Sequence, residues 1–274
     1  MSRRLSWRVS CVAVFVCELL RVAHAEGPSP YQLKLAVDLP VLALGTALWA
    51  GTSAIGGSAA PPHCGTSTTE PCNVGQVNPF DRLSIGLVDP SMRLGANIVG
   101  ALPFAFVIVD FFDAGARNWR SWLTDFVVFA EALAWDGAIQ DIVRRASRRP
   151  RPFLYTDGAY AGERDSAEAT YSFYSGHTAF AFTAATFLAY TFHLRHPTSR
   201  WRYVVWPVLL SLAAVEPVLR VLAGDHFPTD VLIGAVAGSA IGILVPALHR
   251  RAPTLSVTPT VTAERVTVAV GMRF

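Results

Sequence analysis

Apolar residues in this chain come in long runs cut by short polar links. The runs cover Leu35 to Ile55, Ser84 to Phe112 (strongest from Ala96 to Val109), Trp122 to Ile142, His177 to Phe192, Val204 to Leu222 and Thr229 to Leu248. Most approach the ~20 residues with which a helix crosses the ~30 Å hydrocarbon core of a bilayer. Backbone groups in lipid must be bonded internally, so such runs read as helices. The pattern predicts an all-α fold, a multi-span transmembrane bundle of about five or six helices. The first run carries Asp38 and Pro40 near its start and fits either a span or a helix lying at the interface. In the last run Gly234, Gly238 and Gly242 recur every four residues, which lines one face with small residues and predicts close helix packing.

Two links are long. Gly56 to Asp81 is rich in polar and turn residues, and Arg144 to Tyr174 contains the breakers Pro150, Pro152, Gly158 and Gly162. From Thr254 to Phe274 the pattern changes to β-branched residues with alternation from Arg265 onward. This fits a short hairpin turning near Ala263-Glu264-Arg265, or a disordered tail.

Composition agrees with a membrane protein: of 274 residues, 52% are hydrophobic and only 16% charged. Lys34 is the single lysine and the net charge is +3, so the chain has no lysine-rich tail for nucleic acid. Arg3, Arg4 and Arg8, the apolar Ser10 to Leu20 and Ala23-His24-Ala25 resemble a signal peptide; an uncleaved signal anchor is the alternative. Cys11 and Cys17 lie in that leader, whereas Cys64 and Cys72 share the polar loop and read as a disulfide in an exported segment. Zinc fits the loop less well, because only His63 is near. The expected organisation is a signal peptide or anchor at 1–25, an N-terminal helix and cysteine-containing loop at 26–82, a membrane domain at 83–250 and a tail at 251–274.

Three polar stretches interrupt this apolar background. In the first, Arg144 to Pro152, prolines on both sides of Arg151 stiffen the backbone and present a guanidinium able to grip phosphate oxygens bidentately. In the second, Tyr174-Ser175-Gly176-His177, Ser175 and Gly176 precede a helix whose unpaired N–H groups attract anions, and His177 can give a proton to a leaving oxygen. In the third, Arg220 to Asp230, Pro228 opens a helix, and a carboxylate at Asp230 bonded to one imidazole nitrogen of His226 would leave the other free to attack. Glu131, Asp136 and Glu216 are costly within apolar helices unless paired or wet; they fit either a head-group route or pairing with an arginine.

Together the stretches resemble the type 2 phosphatidic acid phosphatase and vanadium haloperoxidase superfamily. Its pattern is Lys-x6-Arg-Pro, Pro-Ser-Gly-His and Ser-Arg-x5-His-x3-Asp; this chain has Arg144-x6-Arg151-Pro152, Tyr174-Ser175-Gly176-His177 and Leu219-Arg220-x5-His226-x3-Asp230. The resemblance covers roughly Ser84 to Arg250. It implies that His226 is the nucleophile forming a phosphohistidine, that Asp230 orients it, and that His177 serves as general acid and then base. It implies that Arg144, Arg151 and Arg220 bind the phosphoryl oxygens with Ser175 and the Gly176 N–H. Arg144 stands where the family has lysine, Tyr174 replaces a proline and Leu219 a serine. The haloperoxidase branch holds vanadate but is mostly soluble, so the membrane phosphatase branch is expected, with no metal or cofactor at the site.

The expected protein is therefore a phosphatase of a lipid phosphate or pyrophosphate in a bacterial inner membrane, with the active loop facing the periplasm and the bilayer as partner. An anchored phosphatase for soluble esters and a catalytically weak phospholipid-binding or transport protein remain open alternatives. Arginines support the orientation: Arg117, Arg120, Arg195, Arg200, Arg202, Arg250 and Arg251 fall in links on the other side from the active loop, as the positive-inside tendency requires. The arginines of 144–151 break that tendency, so something other than topology must hold them.

Overall fold

The computed structural model describes residues 29–55, 72–115, 118–251, 254–261 and 266–273. The leader at 1–25, Cys64 and the turn expected near Ala263-Glu264-Arg265 lie outside the described residues. The described part is mostly helical: α1 (Leu35–Ile55), α2 (Pro90–Asp110), α3 (Trp119–Ser147), α4 (Gly176–Arg195), α5 (Trp201–Ala213), α6 (Val215–Leu222) and α7 (Pro228–Leu248). After them β1 (Thr254–Val261) pairs antiparallel with β2 (Val266–Arg273).

Two boundaries differ from the hydrophobic pattern. The run from Val204 to Leu222 is broken at Ala214 into α5 and α6. Pro217 explains the break, since it has no N–H for the carbonyl of Ala213 and its ring crowds that carbonyl. Helix α3 continues to Ser147, so Arg144 and Arg145 sit in its last turn rather than in the loop. Both pair back onto Asp141, three and four residues earlier, and cations favour a helix C-terminus. Arg148 then turns the chain out with a left-handed φ of 44°.

The bundle is close-packed where glycines permit it. A Cβ on Gly238 would stand 2.1 Å from the Ala179 carbonyl oxygen, and one on Gly242 would stand 2.4 Å from that of Thr183. Gly234 faces the Ser175 carbonyl in the same way, at 2.6 Å. The small-residue face of α7 thus lies directly on α4. Helix α1 runs lengthwise along α3: Trp49 covers Gly137, and Ser53 Oγ lies 3.5 Å from Asp141 Oδ2. Beyond them, Ala181, Ala185, Ala189 and Phe192 of α4 pack on Val205, Leu209 and Ala213 of α5.

The surface is apolar and the interior is not. Leu94, Ile98, Val236 and Leu244 are exposed, whereas Asp136, Thr183, Glu216 and Asp230 are buried. Water would penalise that exterior and lipid does not. Leu35–Ala54, Trp201–Leu222 and Pro228–Leu248 are long and apolar enough to cross a bilayer. The chain is a membrane protein.

Candidate active site

The three polar stretches meet at one end of the bundle. Phe153 N donates to Gly224 O at 3.1 Å, and Ser175 N donates to Asp230 O at 3.2 Å, so the first loop abuts the third and the second abuts the third. Gly224 makes the turn with a φ of 73°, and any Cβ there would stand 2.4 Å from the Leu87 carbonyl oxygen.

His226 is buried, and its Nδ1 lies 2.7 Å from the Ser172 carbonyl oxygen. A carbonyl can only accept, so Nδ1 carries the proton and Nε2 keeps its lone pair. Burial, and then the charges of Arg151 and Arg220, push the imidazole well below its ordinary pKa of 6.5. His226 is thus held neutral with one nitrogen available for attack. This corrects the expected Asp230–His226 hydrogen bond: Asp230 Oδ2 lies 3.9 Å from Nδ1, too far. Asp230 instead accepts from Ser172 Oγ (2.5 Å), from Phe227 N (2.9 Å) and from Arg149 Nη1 (2.5 Å). Ser172 therefore links the two, its carbonyl on the histidine and its hydroxyl on the aspartate.

Arg149 is the centre of a clamp that the motif spacing did not single out. Besides Asp230 it reaches Asp81 (Nη2 to Oδ2, 2.6 Å) and lies 4.2 Å over the Phe227 ring. Asp81 also accepts from Thr229 N at 2.9 Å and Thr229 Oγ1 at 2.7 Å, satisfying the first turn of α7 from outside the helix. Burial raises the Asp81 pKa, but hydrogen bonds from Arg149 and Thr229 more than offset this and hold it below 3.8.

The expected phosphate ligands separate into a near group and a far one. Arg151 and Arg220 line an open cavity of about 200 Å³ with Arg93, Asp225, Glu163 and Glu168. Asp225 gathers three guanidiniums: Arg93 bidentately, Arg220 at 3.2 Å and Arg151 at 3.4 Å. Arg220 is further held by Glu216 at 2.8 Å and Asn97 at 2.8 Å. The buried Glu216 is thus paired with an arginine. Arg144 does not line the cavity; it pairs with Asp141 and reaches Glu168 at 3.2 Å, which itself lies 3.6 Å from Arg151.

The second stretch borders the other two. His177 is exposed at the start of α4, while Ser175 is buried with its Oγ 3.0 Å from Thr178 Oγ1. Neither lies on the cavity wall, but both His177 and His226 are within electrostatic reach of Arg151 and Arg220. A Cβ on Gly176 would stand 2.8 Å from the Gln140 amide carbon, so this glycine makes room for Gln140. Gln140 Nε2 in turn donates to the Tyr174 carbonyl at 3.2 Å and fixes the turn that Tyr174, in place of proline, has to make. Leu219 is outside the cavity, and the Cβ of a residue at Gly95 would touch it at 3.6 Å. Cys72 is disulfide-bonded, and its expected partner Cys64 is outside the described residues.

Arg93, Arg149, Ser172 and Asp225 were not found by the spacing. Arg93 lies far from the motif stretches in sequence. Arg149 has a proline on one side only, where Arg151 in the same arginine run has one on each, and Ser172 reaches His226 through a backbone carbonyl.

A neutral, oriented histidine beside a cluster of fixed guanidiniums defines an anion site, and the family model of the PAP2 superfamily matches residues 125–253, which contain most of it. The chain is similar to that superfamily over just under half of its length. It is similar to a lipid A 1-phosphatase of Rhizobium johnstonii, with 27% identity over 133 residues covering 48% of this chain and 50% of the relative. A lipid A 1-phosphatase of Rhizobium etli matches at 27% identity, with 48% and 52% covered. The chain thus spans about half the length of these curated relatives. It is also similar, with a TM-score of 0.47 and 17% identity, to the crystal structure of a transmembrane PAP2-type phosphatidylglycerolphosphate phosphatase from Bacillus subtilis; the likeness covers 77% of this chain and 94% of that one.

Proposed function

We propose that this protein is a membrane phosphatase that hydrolyses a lipid phosphate or pyrophosphate through a phosphohistidine on His226. The observation that carries the proposal is the commitment of His226 Nδ1 to a carbonyl, which leaves Nε2 unprotonated beside Arg151 and Arg220. Nε2 attacks phosphorus as the bond to the leaving oxygen breaks, and His177 gives that oxygen its proton. A water, deprotonated by His177, then attacks the phosphorus, and the phosphorus–nitrogen bond breaks with its electron pair returning to His226 Nε2, which releases phosphate. Arg151 and Arg220 neutralise the charge spread over the three equatorial oxygens, which is the main requirement of phosphoryl transfer. Asp230, 3.9 Å away, offsets the positive charge that His226 acquires.

The substrate class follows from position and from the relatives. The cavity opens at one end of an apolar bundle, and the curated relatives are named for lipid A. A phosphate on a lipid in the outer leaflet of a bacterial inner membrane fits both. In this reading α1, α2, α3, α4, the α5–α6 pair and α7 each cross, and the site end faces the periplasm.

Phosphate release from lipid A, phosphatidic acid, phosphatidylglycerol phosphate, undecaprenyl pyrophosphate and soluble esters tests the proposal, with His226→Ala as control. Release from at least one lipid by the wild type alone supports it. Release confined to soluble esters removes the lipid assignment. Equal release by wild type and variant on every substrate removes the phosphatase.

A further inference from the structure

At the end of the bundle away from the site, three ionisable side chains from three helices converge in the interior. His249 follows α7, Asp38 lies in the first turn of α1 and Glu131 is midway along α3. Each is less than a tenth exposed. His249 Nε2 stands 3.4 Å from Asp38 Oδ1 and 3.5 Å from Glu131 Oε2, and the three ligand atoms all lie within 4.8 Å of one another. Asp38 and Glu131 stand out singly in the apolar runs, but only the fold joins them to His249, because the members are 93 and 118 positions apart along the chain (38 to 131, and 131 to 249).

The spacing is wrong for direct hydrogen bonds and right for a shared cation. An N–H···O bond places the heavy atoms about 2.7–3.2 Å apart. Ligands at bond lengths of about 2.0–2.2 Å around a tetrahedral ion are about 3.3–3.6 Å apart. Glu131 Oε2 is buried with no hydrogen-bond partner, and it points into the group. The outer contacts are those of a ligand set. His249 Nδ1 lies 2.9 Å from the Val245 carbonyl, which fixes the proton there and turns the Nε2 lone pair toward the carboxylates. Asp38 Oδ2 is held by the Lys34 N–H at 2.5 Å, leaving Oδ1 for the centre. Charge agrees. Two carboxylates and a protonated imidazole leave one negative charge buried, whereas two carboxylates, a neutral imidazole and a divalent cation sum to zero.

We propose that Asp38, Glu131 and His249 form a binding site for one divalent transition-metal cation of the zinc or manganese type. One imidazole and two carboxylates suit such ions, and three protein ligands leave a position for water. The ion joins α1 to α3 and α7 where the segments before α1 and after α7 already meet: Gln32 N donates to His249 O at 2.9 Å, and Arg251 N donates to Pro30 O at 3.0 Å. The 21 residues of α7 place it ~30 Å from the phosphate site, so its role is to hold the helices together.

The test uses the full chain in detergent, without a polyhistidine tag, stripped by a chelator and dialysed against Zn2+, Mn2+, Co2+ or Mg2+. The expected result is one equivalent of Zn2+ or Mn2+ per chain and a higher unfolding temperature than the stripped protein, with little response to Mg2+. His226→Ala should keep the metal, and Glu131→Gln and His249→Gln should each weaken it more than tenfold. Should those variants fail to fold, the visible d–d bands of the Co2+-loaded wild type report directly on a nitrogen–oxygen site. No stoichiometric binding of any of these ions, or undiminished binding by folded Glu131→Gln and His249→Gln, overturns the proposal and leaves a protonated histidine between two carboxylates.

Discussion

The reactivity proposed for His226 depends on what lies on either side of its ring. One nitrogen is tied to the Ser172 carbonyl, and burial beside Arg151 and Arg220 disfavours the imidazolium. The sign of the pH effect follows. Protonated His226 cannot attack, so activity falls as pH drops through the folded-state pKa, which lies well below 6.5. The acid limb of kcat/KM is expected below that value, and a limb assigned to His226 at or above 6.5 would contradict the electrostatics. His177 has a different job, so its loss should depend on the leaving group. His177→Gln is expected to cost ~10²–10⁴ in kcat on a lipid alkoxide. It should cost far less on a phenolic ester whose oxygen leaves unprotonated. Equal losses on both would remove His177 as the acid. The roles proposed for these two histidines rest on motif spacing, which names residues without their surroundings. What spacing could not supply was the partner of Nδ1, since the chain reaches it through a backbone carbonyl that any residue carries. For the same reason the Asp230 hydrogen bond expected from sequence gave way to the Ser172 bridge.

At the scale of elements, helix positions were legible from hydrophobicity and helix ends were not. The Gly234, Gly238 and Gly242 face could be read as packing because its period of four keeps it on one side of α7. Its tightness is visible only in the fold. Gly238→Ala would drive a methyl to within 2.1 Å of a backbone oxygen that has nowhere to retreat, and destabilisation of at least ~1–3 kcal/mol is expected by thermal or denaturant unfolding. Gly162→Ala, where nothing lies within 4 Å, is the neutral comparison. The end of α3 was misplaced because Arg144 and Arg145 look like loop residues until Asp141 pairs with both. Beyond that end, Arg149 joins the loop to Asp81 and to the first turn of α7. Arg149→Gln leaves two buried carboxylates without their cation and should cost ~3–5 kcal/mol. Arg148→Gln, at an exposed position, should change stability by less than about 0.5 kcal/mol. Comparable losses in the two variants would show that the clamp contributes little.

For the whole molecule the question is which face of the membrane the site occupies, and the arginines that broke the topological rule now have an explanation. Arg93, Arg144, Arg145, Arg149 and Arg151 at the site end each pair with a carboxylate, among them Asp81, Asp141, Asp225 and Asp230. Neutralised in this way, they do not oppose export of that end. At the other end Arg195 is also neutralised, by Asp110, Asp113 and Asp125, but Arg120, Arg200, Arg250 and Arg251 are exposed. Exposed arginines are thus more numerous opposite the site than at the site end, where Arg82 and Arg148 are exposed, which agrees with the proposed periplasmic site. Helix α1 bears on the same question. It runs parallel to α3, from Asp38 beside Glu131 and His249 to Ser53 beside Asp141, so it enters from the end opposite the site. A periplasmic site then requires residues 29–33 to be cytoplasmic. Single cysteines decide the matter in whole cells. Gly162→Cys, beside the site, should react with an impermeant maleimide from outside, and Arg200→Cys should react only after lysis. The reverse pattern would put the phosphate cavity in the cytoplasm, where an outer-leaflet lipid could not be its substrate.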